Sequence, residues 1–133
     1  VLDDPKNKDV KNIDTVMFMS GKIYYEILAE QENYSSMDNV ALVRIEQMNP
    51  LPVTQINEVL KKYNKAEKHF WVQEEPENMG AWGFMLRKFP VRLDYIGRLE
   101  SSAPAAGSKK RHEKRLKILW DQVFVHAKSV VAK

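Results

Sequence analysis

The sequence predicts an α/β fold: a three-layer domain with a mostly parallel sheet of four to five strands and helices on both faces. Three observations carry this expectation. Short apolar runs at 16–19, 40–45, 70–72 and 91–96 have the length of strands. Three of the four are continuous rather than alternating, as strands covered on both faces require. Between the runs lie three helical stripes with i, i+3, i+4 spacing: Ile23, Tyr24, Ile27 and Leu28; Ile56, Val59, Leu60 and Tyr63; Trp82, Met85, Leu86 and Phe89. Strand alternating with helix is the pattern of a sheet closed by crossover connections.

The punctuation follows the same division. Ser20-Gly21 ends the first strand, Pro50 and Pro52 precede the second helix, and Pro76 is placed in the first turn of the third, where a missing N–H is tolerated. Pro90 separates that helix from the fourth strand. The stretch 100–108 is small and flexible and is expected to be a long loop. A closing amphipathic helix is predicted over 108–131, with Leu116, Leu119, Trp120, Val123, Ala127 and Val130 on its apolar side. Residues 1–13 are polar and are expected to form a tail, so the domain is assigned to 14–133. The chain begins at Val1 rather than Met, which suggests a piece of a longer polypeptide.

Composition narrows the class. With 133 residues, 44% of them hydrophobic and 29% charged, the chain has the profile of one globular domain large enough to bury a core. The absence of cysteine excludes a disulfide framework and a thiolate zinc site. No apolar run approaches the ~20 residues that span a bilayer, so no membrane partner is expected. The net charge of +3 is unevenly placed, because residues 109–117 hold six cations and one anion and leave −2 on the remainder.

Catalytic motifs are sought by spacing. Gly80-Ala81-Trp82-Gly83 lacks the pattern of a dinucleotide loop, and Ser20-Gly21-Lys22 lacks the upstream glycines of a phosphate loop. His112-Glu113 opens like a zinc-protease helix, but Leu116 stands where the second histidine must be. His69 and His126 are expected to pack at a strand edge and a helix face. Glu74 and Glu75 are neighbours in sequence and point opposite ways on a strand end, so one of them is expected to cap the next helix or to serve an interface. The polar clusters Ser20-Gly21-Lys22, Glu46 to Pro50, Gln73 to Asn78 and Gly97-Arg98 all follow strands. In a parallel sheet they share the carboxyl edge, where ligands or partners dock. The basic run admits three readings: a solvated helix flank; a contact for a phosphorylated small molecule through Ser108, Lys109, Lys110 and Arg111; or nucleic acid, disfavoured because the cluster is short and no binding module accompanies it.

Four strings are more specific. Val72-Gln73-Glu74-Glu75-Pro76-Glu77-Asn78-Met79-Gly80-Ala81-Trp82 and the segment 97–112, beginning Gly97-Arg98-Leu99-Glu100-Ser101-Ser102 and ending Ser108-Lys109-Lys110-Arg111-His112, are the first two. Ser20-Gly21-Lys22-Ile23-Tyr24-Tyr25 and Val43-Arg44-Ile45-Glu46-Gln47-Met48-Asn49-Pro50-Leu51-Pro52 are the others. In order, they resemble the C-terminal part of the first component of 2-oxoglutarate dehydrogenases, over about 14–127. Met79 departs from the family, where Gln is common.

The resemblance implies a transketolase-like C-terminal domain of a homodimeric enzyme that uses thiamine diphosphate and magnesium to decarboxylate 2-oxoglutarate. The succinyl unit then passes to the lipoyl group of a dihydrolipoamide succinyltransferase. The resemblance also implies a role in the tricarboxylic acid cycle, a link to glycolysis, and a place in the bacterial cytoplasm or, in a eukaryote, the mitochondrial matrix. It puts cofactor and metal on upstream domains and none on this one, so the isolated domain is expected to be inactive. Its implied duties are assembly, with Gln73, Glu74, Glu75, Asn78 and Trp82 as inter-domain candidates, and binding of an acetyl-coenzyme A or nucleotide effector, with Arg98, Ser108, Lys109, Lys110 and Arg111 as phosphate candidates. Such domains usually begin with a further edge strand, of which Val1-Leu2 would be the remnant. Its loss would leave a sheet edge open to another copy.

Overall fold

The computed structural model describes residues 1–5, 9–31, 37–98 and 109–126. Strands β1 (Thr15–Met19), β2 (Val40–Arg44), β3 (Lys68–Pro76) and β4 (Asp94–Arg98) form one sheet in the order β2-β1-β3-β4, with every neighbouring pair parallel. Helices α1 (Lys22–Glu30), α2 (Val53–Lys62), α3 (Trp82–Lys88) and α4 (Lys109–Phe124) follow the four strands in turn, and a short 3₁₀ turn at Val10–Asn12 precedes β1.

The continuous apolar strands have the cause expected of them, since each face of the sheet carries its own core. Met17, Met19, Val40, Leu42, Phe70, Val72 and Ile96 meet Ile23 and Ile27 of α1 and Leu119, Trp120 and Val123 of α4. On the opposite face Val16, Phe18, Ala41, Val43 and Trp71 meet Ile56 and Val59 of α2 and Met85 of α3, with Phe89 at the end of α3 edge-on to Phe18 at 4.8 Å. The chain steps from β1 out to β2 under α1, then returns past β1 to β3 under α2. Placing α1 and α2 on opposite faces gives both crossovers the same hand.

Five expectations are corrected. β3 is longer than the run at 70–72 suggests, continuing to Pro76, and β4 sits later than 91–96. The added length of β3 holds a bulge: Val72 pairs with Ile96, yet the next pair is Pro76 with Arg98, so β3 carries extra residues that β4 lacks. Pro76 therefore ends a strand and does not start a helix, at a place where a missing N–H costs nothing to the ladder. Glu74 and Glu75 consequently do not cap α3, which begins only at Trp82, with Ala81 at its N-cap. Leu86 is 58% exposed and leaves the apolar stripe of α3 to Trp82, Met85 and Phe89. For the closing helix, Leu119, Trp120 and Val123 are buried as expected, while Ala127 and Val130 lie outside the described residues.

The sheet edge at β2 is covered rather than open. Leu2 bridges Arg44 in antiparallel sense, with hydrogen bonds of 2.8 and 2.9 Å, and the Asp4 carboxylate accepts the Leu42 N–H at 3.0 Å. Between them Asp3 accepts from the Tyr63 hydroxyl at 2.7 Å and from Lys62. Burial raises the Asp3 pKa, but the hydrogen bonds from Lys62, Tyr63 and the Asp4 backbone outweigh it and hold the group below its ordinary 3.8.

A depressed carboxylate pKa contributes stability that is complete above the unfolded value near 3.8 and disappears as pH falls through the lower folded value. Asp3→Asn should therefore lower stability by about 1–2 kcal/mol at neutral pH and flatten its acid dependence. Urea unfolding at a series of pH values from about 6 down to about 2 measures both effects.

Candidate functional site at the carboxyl edge

The polar clusters that follow the strands do gather along one edge, in two groups. The first lies over β1 and β2. The Glu46 carboxylate accepts from the Ser20 hydroxyl and the Gly21 N–H, both at 3.4 Å, and lies 3.8 Å from the Arg44 guanidinium. Arg44 in turn donates to the Tyr25 hydroxyl at 2.8 Å and lies 4.6 Å from the centre of the Tyr24 ring. An anionic side chain thus occupies the entry to α1, where the helix dipole favours negative charge.

The second group lies over β3 and β4, and Gln73 organises it. This side chain is 3% exposed. Its Oε1 accepts from Trp71 Nε1 at 2.9 Å and from the Trp82 N–H at 3.1 Å. Its Nε2 donates to the carbonyls of Met79 at 2.7 Å and Pro76 at 2.9 Å, with that of Glu75 sharing at 3.2 Å. Both lone pairs and both protons of the amide are engaged, so one side chain satisfies the bulge, the turn and the first N–H of α3 together. Two glycines make room for it. Gly80 has φ +66°, and a Cβ there would sit 2.9 Å from Gln73 Oε1; a Cβ on Gly97 would sit 2.7 Å from the Gln73 carbonyl and 2.5 Å from the Tyr95 hydroxyl.

Tyr95 closes the group from β4. Its hydroxyl donates to the Arg98 carbonyl at 2.6 Å, with that of Glu75 at 3.1 Å, and its ring lies 5.2 Å from that of Trp82. Burial is the main cause that raises the Tyr95 pKa to about 12, so the phenol keeps the proton these bonds require. The Glu77 N–H reaches the Arg98 carbonyl at 3.0 Å and fastens the loop to the end of β4.

Of the residues singled out by sequence, Gln73 and the 9%-exposed Trp82 are turned inward, with Trp82 in the core beside Met85 and Phe89. Glu75, Glu77 and Asn78 stand exposed on the same loop, and Glu74 and Arg98 are half-buried. Lys109, Lys110 and Arg111 fall in the first turn of α4, but their side chains, like Ser108, lie outside the described residues. His126 stacks on Phe70 with ring centres 4.4 Å apart, and burial lowers its pKa, as it does that of His69. Sequence reasoning missed Tyr95 and the room that Gly80 and Gly97 leave for Gln73 and Tyr95. The only available signal was the pair of glycines flanking a polar loop.

The described residues do not fit a magnesium and diphosphate site. No group of three or more histidine, aspartate or glutamate side chains converges among them, and the Glu46 carboxylate takes the place over α1 that a phosphate would need. No described helix is long and apolar enough to cross a membrane.

Comparison with known proteins extends this picture. A family model described as 2-oxoglutarate dehydrogenase C-terminal matches residues 1–124. The 2-oxoglutarate dehydrogenase E1 component of Rickettsia typhi is 40% identical over 124 residues, covering 86% of this chain and 13% of that protein. The multifunctional 2-oxoglutarate metabolism enzyme of a Mycobacterium species (strain KMS) is 41% identical over 135 residues, covering 93% and 11%. The oxoglutarate dehydrogenase of Buchnera aphidicola is 36% identical over 132 residues, covering 94% and 14%. The chain thus spans less than a sixth of the length of these relatives. None of their names supports the expected link to glycolysis.

Two substitutions test the organising role of Gln73. Gln73→Glu changes almost no volume but aims a carboxylate at three carbonyls, and it should cost about 3 kcal/mol or more by denaturant unfolding. Trp82→Ala should cost about 3–5 kcal/mol in the same assay, the value of a core aromatic. A loss below about 1 kcal/mol would instead place Trp82 outside the core.

Proposed function

The chain belongs to the 2-oxoglutarate dehydrogenase C-terminal family, and from that membership we propose that it is the C-terminal domain of a first component that decarboxylates 2-oxoglutarate. The observation that carries this reading is the family match over residues 1–124. The parent protein would use thiamine diphosphate and magnesium held by other domains, and would pass the succinyl unit to the lipoyl group of a dihydrolipoamide succinyltransferase. This is the carbon flow of the tricarboxylic acid cycle, in the bacterial cytoplasm.

The domain itself serves assembly. Its carboxyl edge is filled by its own groups: Gln73 and Tyr95 fix the loop from within, and Glu75, Glu77 and Asn78 are left pointing outward. A loop held that firmly keeps its shape before a partner arrives, so ordering costs little on docking. Glu74, Glu75 and Asn78 are therefore the contact residues of the inter-domain or dimer surface, with Gln73 and Trp82 supporting them from behind. Arg98 and the basic turn at Ser108, Lys109, Lys110 and Arg111 are the candidates for effector phosphate.

The test uses the full-length polypeptide that carries this sequence, assayed with 2-oxoglutarate, thiamine diphosphate, magnesium and an artificial electron acceptor. Decarboxylation by that protein and none by the isolated 133-residue chain is the expected result. Full-length protein that ignores 2-oxoglutarate but takes another 2-oxoacid would assign the domain to a sister enzyme. Within the active protein, Glu75→Lys with Glu77→Lys should weaken the dimer or reduce activity at least tenfold, while the same pair changes the unfolding of the isolated domain by less than about 0.5 kcal/mol.

A further inference from the structure

The loop 73–82 is tied to two strands. Gln73 holds it to β3, and the Arg98 carbonyl holds it to β4 by accepting from the Glu77 N–H at 3.0 Å beside the Tyr95 hydroxyl at 2.6 Å. Glu77 is exposed, so the place of its carboxylate, and of the neighbouring Glu75, depends on where the end of β4 stands. That end has little of its own to stand on. Ile96 is packed in the core with α1 and α4. Beyond Ile96 the ladder to β3 is interrupted by the bulge and resumes at Pro76 with Arg98. Gly97, between the two pairs, has no side chain to bury, and a Cβ there would meet the Gln73 carbonyl and the Tyr95 hydroxyl.

A side chain from α4 supplies the support. The Gly97 N–H donates to Gln122 Oε1 at 3.2 Å. α4 is fixed without help from the end of β4: Leu119, Trp120 and Val123 are buried, and past its last turn the His126 carbonyl accepts from Asn39 Nδ2 at 2.9 Å. Asn39 is itself buried just before β2 and donates to Asp14 Oδ1 at 2.9 Å. Packing does not account for Gln122. Ile118 and Val125 share its helix stripe at i−4 and i+3 and are 52% and 74% exposed, so this stripe meets the sheet through a hydrogen bond rather than through burial. Gly97 and Arg98 are consecutive residues of one strand, and holding the N–H of the first restricts the carbonyl of the second.

We propose that Gln122 is a positioning residue for the docking loop: by accepting the Gly97 N–H it fixes the Arg98 carbonyl, and that carbonyl fixes Glu77 and the outward carboxylates of the loop. The bonds form one continuous path from α4 on one face of the sheet, through the end of β4, to the loop that enters α3 on the other. The inference rests on the reading of that loop as the assembly surface. A surface held in place from behind loses little freedom when a neighbour docks.

The test reads amide exchange residue by residue in the 133-residue chain. Gln122→Leu keeps the helix propensity and removes the acceptor. The expected result is exchange about tenfold faster at both Gly97 and Glu77, with Phe18 and Leu119 unchanged, as the loss of one hydrogen bond in a local opening gives. Gln122→Glu, which keeps an acceptor oxygen, should return both rates to those of the unmodified chain. Faster exchange at Gly97 alone overturns the proposal, as does an acceleration shared equally by Phe18 and Leu119, or a Gln122→Glu chain in which Glu77 stays fast. If Gln122→Leu does not fold, Gln122→Ala is read by the same criteria. In the full-length polypeptide, Gln122→Leu should raise the dissociation constant of the dimer about fivefold, and Gln122→Glu should leave it unchanged. If Glu77 responds and the dimer does not, the assembly reading of the loop fails while its positioning by Gln122 stands.

Discussion

One buried amide holds the carboxyl edge of this domain together. Between its last two pairs with β4, β3 carries two more residues than β4 does, and the chain must then turn, cross the top of the sheet and enter α3 without leaving polar backbone atoms stranded in an apolar interior. Gln73 meets most of that demand, accepting from Trp71 and Trp82 and donating to the carbonyls of the turn. Gly80, Gly97 and Tyr95 are consequences of it: two positions have no side chain because the Gln73 unit lies where a Cβ would go, and the third adds its hydroxyl to carbonyls beside the same turn. In a low-dielectric interior such a network is strong when complete and costly when any member is lost.

Much of the architecture was legible because the forces that set it are patterned along the chain. Continuous apolar runs mark strands buried on both faces, and the stripes of Ile23 and Ile27 or Ile56 and Val59 mark helices with one wet side, so the layers and the strand-helix order follow from periodicity. What escaped periodicity was decided by single polar contacts. The end of β3 was hidden because Gln73, Glu74 and Glu75 carry no apolar signal, and Pro76 looks like a helix start unless the bulge is known. The cover of the β2 edge was legible only in part: the resemblance marks Val1-Leu2 as an edge-strand remnant, but Leu2, Asp3 and Asp4 act through hydrogen bonds to residues some forty to sixty positions away. The loop 73–82 stood out as a site from its polar density and its family resemblance. That Gln73 and Trp82 face inward could not be read from either.

The edge where open parallel sheets ordinarily receive ligands is here spent on the protein's own groups. Over β1 the Glu46 carboxylate takes the Gly21 N–H and the Ser20 hydroxyl, and over β3 the amide of Gln73 takes the N–H of Trp82. Each of these donors lies at the start of a helix, the position that elsewhere binds phosphate. A bound ligand would have to displace an internal acceptor, and over β1 that acceptor is also steadied by Arg44 within its ring stack on Tyr24. Internal occupation fixes the edge from within and leaves its outer surface, not its interior, as the part that the proposed assembly role would use. That is the property a domain needs when its work is to fit against neighbours, and it accounts for why the groups worth probing on this loop are the exposed Glu75, Glu77 and Asn78 rather than the buried side chains that first draw the eye in the sequence.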